Sequence, residues 1–270
     1  MDEETAKLIR VYEEAEAQIL RAINSALLLP DDLRNLRGAL QQVQKKLAKL
    51  NVAVENWTEK TIATIYREAV ERIDSEIKNA GTVAPGLGFG KFHEQAVIVL
   101  VENASLRLEN VSQVIGRRLD DLYRNYALDA VRGTTFGFET WKGVAKKYRE
   151  KLAAQGITGF VDRAGRRWNM KTYVEMVAIT TTAEAAWVGT ENRLLEHGFD
   201  LVKVSTHRGA CDYCLPWQGR ILSLTGRTEG FPTMKQAKDA GFRHPRCRHA
   251  FGGFVQQEIL RQSNDDAAKN

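Results

Sequence analysis

Residues 33–57 read LRNLRGALQQVQKKLAKLNVAVENW, and the spacing of their apolar side chains decides the fold class. Leu33, Leu36, Leu40, Val43, Leu47, Leu50, Val54 and Trp57 follow one another in unbroken steps of three and four. A strand would need a period of two, whereas this period belongs to a helix that turns one narrow stripe toward another long helix. Antiparallel packing within the chain is the simplest cover for that stripe; self-association through this heptad helix is the alternative.

The same periodicity extends outward in both directions. Upstream, Leu8, Tyr12, Ala15, Ile19, Ile23 and Leu27 mark an amphipathic helix, and Pro30, Asp31 and Asp32 supply a stop and a fresh N-cap. Downstream, the pattern continues through Ile62, Ile65, Ala69, Ile73 and Ile77. The glycine-rich stretch from Gly81 to Gly90 has no strand before it, so it reads as a connector and not as a phosphate loop. A third long helix is predicted from Lys91 to Val131, ended by Gly133, and a shorter one through Trp141, Val144, Tyr148 and Leu152. Residues 158–168 read as a β-hairpin with Gly165 in the turn. Another helix passes through Tyr173, Val177, Thr180 and Trp187 and stops at His197 and Gly198, with His197 complementing the helix dipole or capping the helix. Two short β-branched runs, Leu201 to Thr206 and Gly219 to Leu224, follow.

These elements predict a mainly α protein, a long-helix body with a small α+β C-terminal zinc-binding module. The expected divisions are an N-terminal long-helix segment over 1–80 and a helical body over 91–198. A basic module over 199–254 and a polar tail over 255–270 complete them.

Charge and cysteine usage single out the module. The chain carries a formal +5, yet Lys plus Arg balance Asp plus Glu over residues 1–200, and segment 201–254 alone holds nine basic against three acidic residues. Such a confined patch attracts phosphate backbone or an acidic protein surface, or else serves solubility. No apolar run approaches the roughly 20 residues of a membrane helix, so no membrane partner is expected. All three cysteines lie in the last quarter, an odd number that argues against a disulfide framework.

Cys211-Asp212-Tyr213-Cys214 is a C-x-x-C, and His244-Pro245-Arg246-Cys247 repeats the two-residue gap with a histidine and a cysteine. Two such hooks on tight turns can close the tetrahedron of nitrogen and sulfur that zinc prefers. Cys211, Cys214, His244 and Cys247 are therefore the candidate ligands of a structural Zn2+, with His207 and His249 as alternatives to His244. A set closed by four protein donors leaves no position for an activated water, which argues against an enzyme. Arg208, Arg220, Arg243, Arg246 and Arg248, interleaved with Trp217, Phe231, Phe242 and Phe251, are candidates for nucleic-acid contact. A metal-dependent nuclease or a stand-alone DNA-binding protein is the alternative function, although no well-spaced set of carboxylates and histidines for activating water is visible.

The run Val204-Ser205-Thr206-His207-Arg208-Gly209-Ala210-Cys211-Asp212-Tyr213-Cys214-Leu215-Pro216-Trp217-Gln218-Gly219-Arg220 resembles the phage minor capsid protein 2 family. So does His244-Pro245-Arg246-Cys247-Arg248-His249. A more distant likeness is to the Mu-type head-morphogenesis proteins, through the C-x-x-C, a following glycine and the terminal H-P-x-C-R. The resemblance covers about the C-terminal half, from Trp168 through Thr172 to Val177, the Glu196-His197-Gly198 stop and the cysteine module. It departs at Ile179, where the family pattern leads one to expect arginine. It implies a low-copy virion protein at the portal vertex or capsid interior. Portal or major capsid protein would be its partner, with contact to packaged double-stranded DNA.

Overall fold

The computed structural model describes residues 3–27, 32–81, 88–135, 143–144, 146–148, 150, 160–161, 167–255 and 257–260. The protein is mainly α-helical with a small antiparallel sheet near its C-terminus, as the periodicity predicts. Four long helices dominate: α1 (Glu3–Ala26), α2 (Asp32–Asn79), α3 (Lys91–Thr135) and α4 (Met170–Glu196). Residues group into two compact units, one of Met1–Trp57 with Ser105–Glu175, the other of Thr58–Ala104 with Met176–Asn270.

In the first unit, the heptad stripe is consumed inside the chain. Leu36, Leu40, Val43, Leu47, Leu50, Val54 and Trp57 are all buried, as are Leu8, Tyr12, Ile19 and Ile23 of α1 and Leu108, Val111, Ile115 and Leu119 of α3. Trp57 Nε1 donates to the Glu4 carbonyl at 2.9 Å and Lys46 reaches Gln18 at 2.7 Å, so α1 and α2 run antiparallel. Tyr12 keeps its hydroxyl satisfied on the Leu108 carbonyl at 3.1 Å, which ties α1 to α3. Helix α3 continues through Gly133 to Thr135. A lone glycine costs a helix about 1 kcal/mol relative to alanine, which does not by itself end one.

Residues 143–144, 146–148 and 150 are helical, and Tyr148 donates to Asp129 at 2.8 Å. Trp141 and Leu152 lie outside the described residues. Strands β1 (Phe160–Val161) and β2 (Arg167–Trp168) pair antiparallel, Phe160 opposite Trp168, as the hairpin reading expects. Its turn, with Gly165, lies outside the described residues, as do residues 82–87 of the glycine-rich connector. Asn169 begins α4 as an N-cap, its side-chain oxygen accepting from the Thr172 N–H at 2.7 Å.

The second unit carries the module. Helix α4 ends in a Schellman motif: the Phe199 N–H bonds the Leu194 carbonyl at 2.9 Å, the Gly198 N–H bonds Leu195 at 3.0 Å, and Gly198 takes φ +81. The chain then enters β3 (Leu201–Val204), the central strand of a three-stranded sheet ordered β4-β3-β5, with β4 spanning Ile221–Ser223 and β5 Phe251–Gly253. Helix α5 (Met234–Asp239) opens with a capping box between Thr233 and Gln236. One apolar cluster joins Ile73 and Ile77 of α2, Trp187 and Leu194 of α4, Val202, Val204, Leu222 and Phe251 of the sheet, and Cys214 and Cys247. Cys214 and Cys247 are thus part of this unit's core.

Candidate metal centre

Each hook is closed by a backbone hydrogen bond from its fourth residue to its first. The Cys214 N–H returns to the Cys211 carbonyl at 3.0 Å, and the Cys247 N–H to the His244 carbonyl at 2.9 Å. In the second hook Pro245 occupies the second position and Arg246 takes φ +64 at the third, the pattern of a type II turn that ordinarily asks for glycine. Arg243, just before it, also has a positive φ of 66. A left-handed conformation costs a non-glycine residue about 1–2 kcal/mol, so the surroundings must enforce it.

Those surroundings are named contacts. Strand β3 closes the first hook's loop at its base, the Val204 N–H bonding the Arg220 carbonyl at 2.9 Å and the Gly219 N–H bonding Val204 at 3.1 Å. The Gln218 side-chain oxygen accepts from the His207 N–H at 2.7 Å. Helix α4 holds the second hook and the residues just after it at two points two turns apart: the Thr180 hydroxyl accepts from the Arg246 N–H at 3.1 Å, and Trp187 Nε1 donates to the His249 carbonyl at 3.0 Å.

The result brings cysteines from distant parts of the chain together. Cys214 Sγ lies 3.7 Å from Cys247 Sγ, and Cys211 Sγ lies 3.1 Å from His244 Nε2. Two groups of donor atoms fall within 4.8 Å of one another: Cys211, Cys214 and His244, and Cys214, Cys247 and His249. Cys214 belongs to both, so the structure places the four expected residues in two overlapping triads and adds His249. His207 joins neither triad; its ring lies 4.1 Å from that of His249.

This donor set fits a cation. The 3.7 Å between buried sulfurs is far beyond a disulfide bond, and close to the edge of about 3.8 Å that zinc–sulfur bonds of about 2.3 Å give a tetrahedron. Burial first, and then the neighbouring Cys247 and Cys211, push the Cys214 thiol up to about 12. A bound cation reverses that preference, because it favours the thiolate. Desolvation opposes ionisation of Cys211 too, but N–H groups of Cys214 and Tyr213, the Cys214 thiol and His244 outweigh it, and that thiol is shifted down. His244 Nδ1 lies 2.8 Å from the Pro245 carbonyl, which holds the proton on Nδ1 and leaves the Nε2 lone pair facing Cys211. Burial, then His207 and His244, lowers the pKa of His249 and so favours its neutral, ligating form.

The candidate nucleic-acid arginines divide. Arg208, Arg220, Arg246 and Arg248 are exposed, with Arg220 positioned 5.8 Å from the Trp217 ring centre. The Arg243 side chain is only 8% exposed, is paired with Glu191 and lies 4.5 Å over the Trp187 ring. Its charge is engaged inside the unit. Nothing in the residue order distinguished it from its neighbours; the partner is 52 residues away.

Fold and site together define a helical protein closed by a sulfur- and nitrogen-lined module that can bind a metal. The model of the family described as phage minor capsid protein 2 matches residues 1–270, and the chain belongs to that family. It is thereby a structural capsid protein of the virion, and the match takes in the N-terminal helices as well as the cysteine module. No curated protein and no solved structure matches it. Among the described residues, no helix is long and apolar enough to cross a membrane.

Proposed function

We propose that this minor capsid protein works at the portal vertex or capsid interior, with its C-terminal module fastened by a structural zinc ion on Cys211, Cys214, His244 and Cys247. The observation that carries the metal reading is the approach of three cysteines and a histidine, from hooks 33 residues apart, with Cys214 and Cys247 in the apolar core of the second unit and Cys211 and His244 at its surface. Zinc would cross-link the loop between β3 and β4 to the segment between α5 and β5, with an apparent binding energy on the order of 10 kcal/mol. The portal or the major capsid protein is the partner, and packaged double-stranded DNA is a further contact through Arg208, Arg220, Arg246 and Arg248. Self-association through the heptad helix is not carried forward, because that stripe is covered within the chain. Neither donor triad includes a carboxylate, which favours a structural metal over the centre of a nuclease.

The test is metal analysis of the purified protein, followed by chelation and by co-purification with procapsids. The expected result is one zinc per chain, loss of near-ultraviolet signal from Trp187 and Trp217 on chelation, and release of a Cys247→Ser variant from procapsids. Metal-free protein whose spectrum ignores chelator contradicts the zinc centre. Failure to co-purify with portal-containing particles contradicts the placement.

A further inference from the structure

The donors gathered around the cysteines outnumber the four that a tetrahedral ion takes. Three are thiols, and two are imidazoles, one half-exposed and one buried. His244 approaches from the half-exposed side, with Nε2 at 3.1 Å from Cys211 Sγ. His249 approaches from the buried side and presents Nδ1 to Cys247 Sγ at 3.6 Å, near the separation of about 3.5 Å between sulfur and nitrogen ligands on one tetrahedral zinc. All three members of its triad, Cys214, Cys247 and His249, are buried, whereas Cys211 in the other triad is exposed.

His249 is also poorly served as an ordinary core histidine. Its Nε2 is buried with no hydrogen-bond partner among the described residues, and its Nδ1 has only a thiol. Its backbone is fixed independently, through the Trp187 contact to the His249 carbonyl and the Ser205 N–H bond to the Ala250 carbonyl at 2.8 Å. The ring is therefore delivered to Cys247 by the sheet and α4.

We infer that His249 is a ligand of this centre in its own right, so that the three cysteines hold one ion whose fourth position either imidazole can fill, His244 from the solvent side or His249 from the core. This rests on the reading that the cysteines bind a metal. A single ion follows from the shared Cys214 and from a donor count too small for two separate tetrahedra. The consequence is a centre that keeps its ion when His244 is drawn away.

The experiment is titration of the full chain with Co2+ and Zn2+, comparing wild type, His244→Ala, His249→Gln and the double variant. The absorption of Co2+ reports the number of sulfur ligands. Each single variant is expected to retain one equivalent with the three-sulfur spectrum, its Kd raised by no more than about tenfold, while the double variant weakens by about a hundredfold or more. Because His249→Gln removes a buried ring, a second readout leaves that ring in place: the His249 Nδ1 resonance should move on zinc addition to the His244→Ala variant. If His244→Ala binds as poorly as the double variant, or the His249 nitrogen stays unmoved, the inference is overturned while the zinc reading stands. No metal on the wild type overturns both. Two equivalents on the wild type overturn the shared fourth position, since the triads would then fill together.

Discussion

Arg193 grips Asp74 with two nitrogens, Nε at 2.6 Å from Oδ1 and Nη2 at 2.9 Å from Oδ2, across 119 residues of sequence. The pair is one link of a chain of polar contacts between α2, α3 and α4 in the second unit. Arg193 Nη1 also donates to Glu196 at 2.7 Å, and His93 joins that carboxylate at 2.9 Å. Tyr66 lies 2.8 Å from the other nitrogen of His93 and accepts from Asn192. Every group in this chain has a partner of the right kind, which is what makes a buried polar network stabilising and specific.

Replacing Arg193 by methionine should therefore destabilise the second unit. Removing one partner of a fully buried pair costs about 3–5 kcal/mol. The Asp74 side chain is 36% exposed and can recover water, so the expected loss is smaller, about 2–3 kcal/mol. Urea unfolding with an unchanged slope and a lowered midpoint is the readout; a loss below about 0.5 kcal/mol, the size of an ordinary surface change, would show that the network is ornamental.

Asp200 gives the stability a pH dependence. Desolvation disfavours its charge, but hydrogen bonds from Ser223, Thr225 and Thr228 outweigh that and hold its pKa at about 2, against an ordinary 3.8. A depressed folded pKa stabilises the fold above the unfolded value, and this contribution is lost as pH falls through the folded one. The contribution is about 2 kcal/mol at neutral pH and fades between pH 4 and 2. Asp200→Asn should thus be less stable than the wild type at pH 7 and converge on it toward pH 2. A gap independent of pH would assign the loss to packing instead.

What the sequence disclosed follows from the range of each interaction. The stripe from Leu36 to Trp57 was legible because a helix repeats its environment every turn, so one periodic signal reports both the element and its buried face. The hooks were legible because each is a local turn. Strand β5 was not, since Phe251-Gly252-Gly253 has little strand propensity and forms only because β3 offers an edge. The capping box of α5 was available as Thr233-x-x-Gln236 and would have found that helix. The Arg193–Asp74 pair and the Arg243–Glu191 pair leave no local trace, because their partners meet only after α2, α4 and the module have packed.

Gly189 sets how closely α2 and α4 approach in the second unit. A Cβ added there would lie 2.8 Å from the Tyr66 carbonyl oxygen and 3.1 Å from the Ala69 Cβ. Two effects oppose each other in Gly189→Ala. Helix propensity favours alanine by about 1 kcal/mol, whereas forcing a packed core apart costs about 1–3 kcal/mol. The contact is to backbone, which cannot swing aside, so the clash prevails and the variant should unfold at a lower temperature. A raised Tm would mean that the helices separate at no cost.

The arginine assignments predict how DNA binding should respond to salt. Each phosphate neutralised on duplex DNA releases counterions and steepens the plot of log affinity against log salt by about 0.9. Four exposed arginines allow a slope no steeper than about −4. Replacing Arg208, Arg220 or Arg248 by alanine should flatten it by about 1 each and weaken binding similarly on unrelated sequences. Arg243→Ala should behave differently: its guanidinium lies over Trp187 and is paired with Glu191, so the loss should appear as lowered stability with the salt slope retained. If the triple replacement of Arg208, Arg220 and Arg248 leaves the slope unchanged, the basic face of the module serves something other than phosphate.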